Sequence, residues 1–358
     1  MRVAAFTKYD REAASTRQRL LQYVPSLEQA GFKIEHHPLL GDDYVRGLVT
    51  GRRPSPISVT RAYGRRLEQL LAARDSDLIW VYAELFPWLP AAFEKLALRA
   101  GKPIIYDMDD AFYIPYEGKP LLGGKLEPLL RAAAACTCGN DYLREYASRF
   151  CARSIVVPTV VDTFLYRPGR TAKSRPLTIG WIGSPSTWGS VRPVLPLLAQ
   201  LCAGRGVRFR VVGAGAEAKQ DGFPGLELVD WSEASEVAEI QSMDIGIMPM
   251  LDDRFQRGKS GYKLVQYMAC GLPVVASPVG VNSRIVANGE NGFLASSPEE
   301  WRAALTHLLD DAPLRKAMGQ ASRIMAERSY SLASQAPRVV ALFESVVAGS
   351  IARRSSPT

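Results

Sequence analysis

Short apolar runs alternate with amphipathic stretches over most of the chain, and this alternation predicts the fold class. Residues 2–6, 32–36, 78–82, 103–106 and 154–157 read as strands, several of them nearly continuous in apolar residues. Between them, residues 16–30 place Leu20, Val24 and Leu27 on one helical stripe that stops at Gly31. Residues 89–99 are helical and stop at Gly101, and 121–134 are helical before a short strand leads to Asn140. Apolar strands separated by amphipathic helices predict a parallel sheet covered on both faces.

The pattern then restarts. Residues 163–176 carry Arg167, Arg170, Lys173 and Arg175 with two prolines and a glycine, the composition of a linker. A strand follows at 177–182, and further strands at 209–212, 226–229, 245–248 and 273–276. Val191, Val194, Leu195, Leu198 and Leu201 share helical spacing; Pro193 suits the first turn of that helix, whereas Pro196 would interrupt it. Ser297-Pro-Glu-Glu300 is a capping box opening a helix through Leu309. Helices near 313–328 and 332–348 close the fold, and the tail 351–358 reads as disordered. The expectation is α/β: two doubly wound, Rossmann-like domains in tandem, residues 1–162 and 177–332. Ligands would sit at the carboxyl ends of the strands, in a cleft between the domains.

Composition narrows the function classes. A length of 358 residues suits roughly two domains. With 47% hydrophobic and 22% charged residues the chain is neither disordered nor fibrous. No stretch reaches the roughly 18 apolar residues of a membrane span, and the opening MRVAAFTKYD has too short an apolar core for a secretory signal. A soluble, cytoplasmic protein is expected. Five cysteines and three histidines offer no metal-binding spacing, so the cysteines are read as free thiols and no metal is expected. The net charge of +8 includes one biased window, Arg46, Arg52, Arg53, Arg61, Arg65 and Arg66, with no acid between them. This is either a solvated face or a contact for anionic lipid headgroups or an acidic acceptor; lipid contact would make the protein peripheral on the inner face of a membrane. No motif or aromatic run accompanies the charge, which argues against nucleic acid.

The segment GKSGYKLVQYMACGLPVVAS at 258–277 holds the strongest chemical signal. It predicts a helix from about Ser260 to Cys270, with Leu264, Val265 and Met268 on the face toward a sheet and Lys259, Lys263 and Gln266 on the other. Two lysines at a helix N-terminus oppose the macrodipole unless an anion binds there. Gly258 and Gly261 permit close backbone approach. The alternative is an exposed basic helix end. A second anion-accepting loop is Gly183-Ser184-Pro-Ser-Thr187, or else an ordinary strand-to-helix turn capped by Ser186 or Thr187. The run VGAGAEA at 212–218, with Gly213, matches a dinucleotide fingerprint, but too few residues precede the next strand for a crossover helix; it reads as a close-approach turn near the ligand. In the first domain, Asp107, Asp109 and Asp110 end a strand, either as a functional carboxylate cluster or as a polar strand end. Arg17 and Arg19 could reach an anion or lie on a helix surface, and His36 and His37 are read as structural.

Taken together, these segments resemble retaining family-4 glycosyltransferases of the GT-B fold (glycosyl transferases group 1). The carriers are WIGSPST at 181–187, DIGIMP at 244–249, residues 258–266, YMACGLPVVASPVG at 267–280, NGFL at 291–294 and NDYL at 140–143. The resemblance implies a nucleotide-sugar donor held by the second domain, a glycan or lipid-linked acceptor held by the first, and a C-terminal helix, 333–350, returning to the first domain. It implies transfer with retention, as in cell-surface polysaccharide or glycolipid synthesis; a nucleotide-sugar epimerase or a non-catalytic binding protein on the same fold are the alternatives. The family's paired glutamates fall at Gly258 and Gln266, where Gln266 could still bond the ribose and Gly258 offers only backbone. The basic pair expected after the first strand of the second domain is also absent. Lys259 and Lys263 would therefore carry the charge of the leaving diphosphate, with Gly183, Ser184, Thr187, Gly213, Gly258, Ser260, Gly261, Tyr262 and Gln266 around the donor. Asp109 or Asp110 would orient the acceptor hydroxyl. No cofactor or metal is implied, because the protein supplies the positive charge.

Overall fold

A computed structural model describes residues 1–49, 54–169 and 176–355. The chain divides into two compact units: Met1–Thr159 with Gly258–Ser260 and Gln335–Thr358, and Val160–Arg257 with Gly261–Ser334.

The first unit is built on six strands: β1 (Arg2–Tyr9), β2 (Lys33–Leu40), β3 (Leu78–Tyr82), β4 (Ile104–Met108), β5 (Ala135–Cys138) and β6 (Ser154–Val156). They pair in the order β2-β1-β3-β4-β5-β6, all parallel. β3, β4 and β5 are buried along their whole length, which is why their sequences are almost uniformly apolar. The chain departs on one side of β1 to make β2 and returns on the other to make β3, so the switch in winding direction lies between β1 and β3.

The second unit repeats the plan with β7 (Thr178–Ile182), β8 (Arg208–Val212), β9 (Leu226–Val229), β10 (Ile245–Met248), β11 (Val274–Ala276) and β12 (Gly292–Leu294). The order is β12-β11-β10-β7-β8-β9, again parallel, with the switch between β7 and β10. Two glycines let side chains from the covering layer press on this sheet. A Cβ on Gly180 would stand 2.0 Å from Sδ of Met243, and one on Gly246 would stand 2.3 Å from the ring of Tyr267. The Tyr267 hydroxyl accepts from the backbone N–H of Ile182 at 2.9 Å, tying the helix Tyr262–Ala269 to the end of β7.

Several expected elements change length. The helix expected at 16–30 is broken into Ala14–Arg19, a 3-10 turn and Val24–Gln29, because Pro25 can only sit in a first turn. Pro196 has the same explanation: a 3-10 turn Arg192–Val194 ends first, and Pro196 opens the helix Leu195–Arg205. The 121–134 helix contracts to Glu127–Ala132 and 89–99 to a single α-turn, Ala91–Glu94, followed by 3-10 structure. The capping box is present, with Ser297 and Glu300 bonding reciprocally at the start of Pro298–Asp310. The final helix, Leu332–Ser355, runs well into the segment expected to be disordered; residues 356–358 lie outside the described residues. From Gln335 onward this helix belongs to the first unit, where Phe343 packs edge-on against Phe32 and Trp80. Of the linker 163–176, residues 170–175 lie outside the described residues.

Candidate functional site

In the second unit, four segments meet at the carboxyl ends of β7, β8 and β9. Gly183 follows β7 directly, and a Cβ there would stand 2.7 Å from Cε of Lys263 and 2.5 Å from the Trp181 ring. Lys263 thus lies across the end of β7, its ammonium 5.6 Å from the Trp181 ring centroid. Gly213 follows β8 in a left-handed conformation (φ 80°), and a Cβ on it would be 2.4 Å from the carbonyl oxygen of Gly183 and 3.0 Å from Cβ of Trp231. Any side chain at either glycine would fill this space. Gly183 was singled out in the sequence as part of an anion-accepting loop and Gly213 as a close-approach turn, and the structure brings them together with Lys263. It does so beside the β7/β10 switch, the position where doubly wound sheets take ligands.

The helix behind Lys263 starts later than expected, at Tyr262, with Gly261 as its N-cap at φ 68°. A Cβ on Gly261 would stand 2.4 Å from Ile285, so its conformation and its lack of a side chain are both needed. Gly258, Lys259 and Ser260 are not part of this helix: they pack with the first unit. The expected shared face of Lys259, Lys263 and Gln266 is therefore not formed. Gln266 is buried, and its amide donates to Oε1 of Glu236 at 2.9 Å and lies 3.4 Å from the Tyr166 hydroxyl. Tyr166 also donates to Glu236, and its hydroxyl lies 3.4 Å from that of Tyr262. The indole N–H of Trp231 donates to Oε2 of Glu236 at 2.5 Å. A buried carboxylate needs such donors. Burial, then the nearby Glu236 charge, hold the Tyr166 hydroxyl well above its ordinary pKa. The loop Ser184–Thr187 is closed by bonds among its own residues. Its helix, Pro185–Trp188, is one turn; Ser184 bonds Ser186 at 2.9 Å and Thr187 returns to the Ser184 carbonyl at 2.9 Å, with no side-chain cap.

In the first unit the three aspartates at the end of β4 have three different fates. Asp107 is locked by a buried bidentate pair with Arg19 (2.5 and 3.0 Å) and by Thr137 (2.5 Å). Arg19 also donates to the Val157 carbonyl at 2.7 Å. Arg17 is likewise buried and donates to the carbonyls of Arg11 and Glu12, so neither arginine is an exposed helix-surface residue. Asp109 is nearly buried and accepts from the Tyr82 hydroxyl at 2.7 Å. Burial, then the charge of Asp110, push its pKa up to about 7, against the pull of Arg19. Asp110 pairs with Lys259 at 2.8 Å. Lys259 is held nearby because Asn140, capping the helix Asp141–Ser148 through its oxygen, donates its amide to the carbonyls of Gly258 and Lys259, both at 2.9 Å. Among the described residues no three His, Cys, Asp or Glu side chains are grouped to hold a metal ion. His36 bonds Thr7 and His37 stacks on Phe6.

The arginine window does not form one basic face among the described residues. Arg66 is fully buried and donates to the carbonyls of Thr7 and His37. Arg46 pairs with Glu12 and Asp43. Arg52 and Arg53 lie outside the described residues, leaving Arg61 and Arg65 exposed on the helix Pro56–Ala72. All five cysteines are free and buried, and among the described residues no helix is long and apolar enough to cross a membrane.

Glu236, Tyr166 and Trp231 escaped the sequence reading. Glu236 sits in an ordinary polar stretch and Tyr166 in a linker; only Trp231, an aromatic two residues past a strand in a polar loop, gave a readable hint.

The fold is that of GT-B glycosyltransferases. The chain superposes on sucrose-phosphate synthase from Thermosynechococcus elongatus with a TM-score of 0.74 at 14% identity, covering 97% of this chain and 99% of that one. It superposes on Anabaena HepE in complex with UDP-glucose at 0.73 and 15% identity, covering 96% and 100%. It also matches WaaG, a glycosyltransferase involved in lipopolysaccharide biosynthesis, at 0.66 and 14%, covering 95% and 99%. Likeness at these identities establishes the fold. In sequence, residues 177–311, the core of the second unit, match the family described as glycosyl transferases group 1. A D-inositol 3-phosphate glycosyltransferase of Paenarthrobacter aurescens (strain TC1) is 34% identical over 103 residues, 28% of this chain and 22% of that protein. Another, from Segniliparus rotundus, is 28% identical over 236 residues, 58% of this chain and 50% of that protein. The chain thus aligns with about a fifth to a half of the length of these relatives.

Proposed function

We propose that this protein is a glycosyltransferase that takes a nucleotide-sugar donor on its second unit and transfers the sugar, with retained anomeric configuration, to a glycan or lipid-linked acceptor on its first. The observation that carries the reading is the meeting of Gly183, Gly213 and Lys263 at the switch point of the second sheet, inside the segment that matches group 1 glycosyl transferases. A HepE structure with UDP-glucose on the same fold supports a nucleotide-sugar donor. The sequence similarity to D-inositol 3-phosphate glycosyltransferases supports glycosyl transfer, and the likeness in fold to WaaG, a glycosyltransferase involved in lipopolysaccharide biosynthesis, is what favours a role in cell-surface glycolipid or polysaccharide synthesis.

Breaking the bond between sugar and diphosphate builds negative charge on the departing phosphate. Lys263, placed before the reaction, stabilises that charge without reorganisation, and the glycine-lined loops admit the phosphate close to the backbone. On the first unit, Asp109 half-ionised near neutral pH suits orienting an acceptor hydroxyl and taking its proton. In this scheme Lys259 is reassigned from the donor: its ammonium pairs with Asp110 and holds that carboxylate in place beside Asp109.

Calorimetric titration tests the donor site. Lys263→Ala should weaken UDP, or whichever nucleoside diphosphate binds tightest, by at least about ten-fold; unchanged affinity would remove Lys263 from the site. The anomeric configuration of the product, read by NMR, tests retention. Docking of the first unit on an anionic membrane would rest on Arg61 and Arg65, in one stripe with exposed Ile57 and Leu71. Co-sedimentation with phosphatidylserine vesicles should fall for an Arg61→Glu, Arg65→Glu variant, and binding that is equal in both proteins refutes it.

A further inference from the structure

Residues 163–176 read in the sequence as a basic linker, and in the structure the start of that segment has a definite shape. Asp162 opens a tight turn. Its carboxylate accepts from the N–H of Phe164 at 2.8 Å, and its carbonyl accepts from Leu165 and Tyr166 at 3.1 and 2.9 Å. Arg323, on the helix Ala312–Ser329, fastens the turn by donating to the carbonyls of Thr163 and Tyr166 at 2.9 and 2.5 Å. Tyr166 is buried and donates to Glu236. Phe164 and Leu165 face water, 84% and 64% exposed, and Phe164 is the most exposed large apolar side chain among the described residues. Ile324, next to Arg323 on the same helix, is 65% exposed. The turn is thus fixed at both ends while its two apolar side chains are left uncovered, the mark of an interaction surface.

Size and charge say what covers it. Two or three side chains at a turn offer far less than the roughly 1,200 Å² that a specific protein interface buries. Entry into the headgroup region of a bilayer needs only a few apolar side chains when cationic residues add to them. Those cations are present. Arg167 is exposed one residue past Tyr166, and residues 163–176 hold Arg167, Arg170, Lys173 and Arg175 with no acid among them. Arg170, Lys173 and Arg175 lie outside the described residues and count here only as charge in the sequence. The acids of the turn and its anchoring helix are engaged, Asp162 by the Phe164 N–H and Glu327 by Arg323 at 2.7 Å. We propose that Phe164 and Leu165 form a wedge by which the second unit enters an anionic membrane surface, with Arg167 as the headgroup contact beside it. This surface is separate from the Arg61 and Arg65 stripe of the first unit and does not depend on the donor reading.

The test sediments the full chain with vesicles of phosphatidylcholine, alone or mixed with phosphatidylserine. The wild type should bind the mixed vesicles, and added salt should weaken the binding. Replacing both apolar residues, Phe164→Ser with Leu165→Ser, should weaken it by about ten-fold or more. Both side chains are exposed, so the far-ultraviolet spectrum and Tm of this variant should stay at their wild-type values. Phe164→Trp should keep the binding and show more quenching of tryptophan emission by brominated lipid than the wild type does. A wild type that binds neither vesicle overturns the proposal, and so does a double variant that binds as the wild type does. Equal binding to phosphatidylcholine alone overturns the choice of an anionic surface. If the wild type is a dimer without lipid and the double variant a monomer, the turn is covered by a second copy and the wedge is refuted. If Arg61→Glu with Arg65→Glu abolishes sedimentation while the Phe164 and Leu165 variant retains it, the wedge fails and the first-unit surface stands.

Discussion

Asp109 is a carboxyl group that folding keeps largely protonated up to neutral pH. Its pKa rises from 3.8 to about 7, chiefly through burial and secondly through the charge of Asp110. A raised carboxylate pKa means that the folded state holds a proton the unfolded chain has released. The stabilisation is full below about pH 4, is lost as the pH rises toward 7, and then levels off. The difference corresponds to about 4 kcal/mol. Asp109→Asn keeps an oxygen to accept from Tyr82 and cannot ionise. Its stability relative to the wild type should therefore grow between pH 4 and pH 7 in denaturant titrations and stay constant above; a pH-independent difference would show that Asp109 ionises as an ordinary surface aspartate does. Sequence could place Asp107, Asp109 and Asp110 at a strand end, but not assign their roles. The partners that separate them come from far along the chain: Arg19 on an early helix, Tyr82 on β3, and Lys259 in a segment that follows β10. The wholly buried Lys125, between Glu84 and Glu94 at 3.2 and 3.0 Å, was invisible for the same reason.

Elements were more legible than residues, and their faults have physical causes. Nearly all strands were readable because parallel strands buried on both faces carry an almost unbroken apolar signal. Helix ends were less so. The helix carrying Lys263 was expected from Ser260, since helical spacing extends back to Lys259; the left-handed backbone at Gly261 stops it at Tyr262. That two-residue difference separates Lys259 from Lys263 and gives them different partners. The glycine also explains why spacing misled: Gly261 must be left-handed and bare to clear Ile285, a contact between distant positions. The arginine window failed similarly. Six arginines without an intervening acid look like one basic surface, yet helical geometry turns Arg66 inward, where backbone carbonyls of β1 and β2 bind it. The turn after β8 was read correctly as a close approach because the number of residues before the next strand left no room for a crossover helix.

At the scale of the whole molecule, the chain makes two sheets with separate cores, yet its last helix serves the first. Phe343 is 1% exposed and sits edge-on to Phe32 and Trp80 at ring-centroid distances of 5.6 and 5.0 Å, all within the first unit. Replacing a buried phenylalanine with alanine costs about 3–5 kcal/mol. A nucleotide bound as proposed touches only the second unit, and saturation at 100 times Kd adds about 2.7 kcal/mol to whatever it binds. The two perturbations should therefore act on different cooperative units. In calorimetric scans Phe343→Ala should lower the melting of the first unit and leave that of the second in place, while UDP should raise the second in wild type and variant alike. If Phe343→Ala and UDP instead move one common transition, the units unfold together and the energetic separation is wrong. If UDP stabilises only the transition that Phe343→Ala destabilises, the donor is bound by the first unit, and the assignment of Lys263 fails with it.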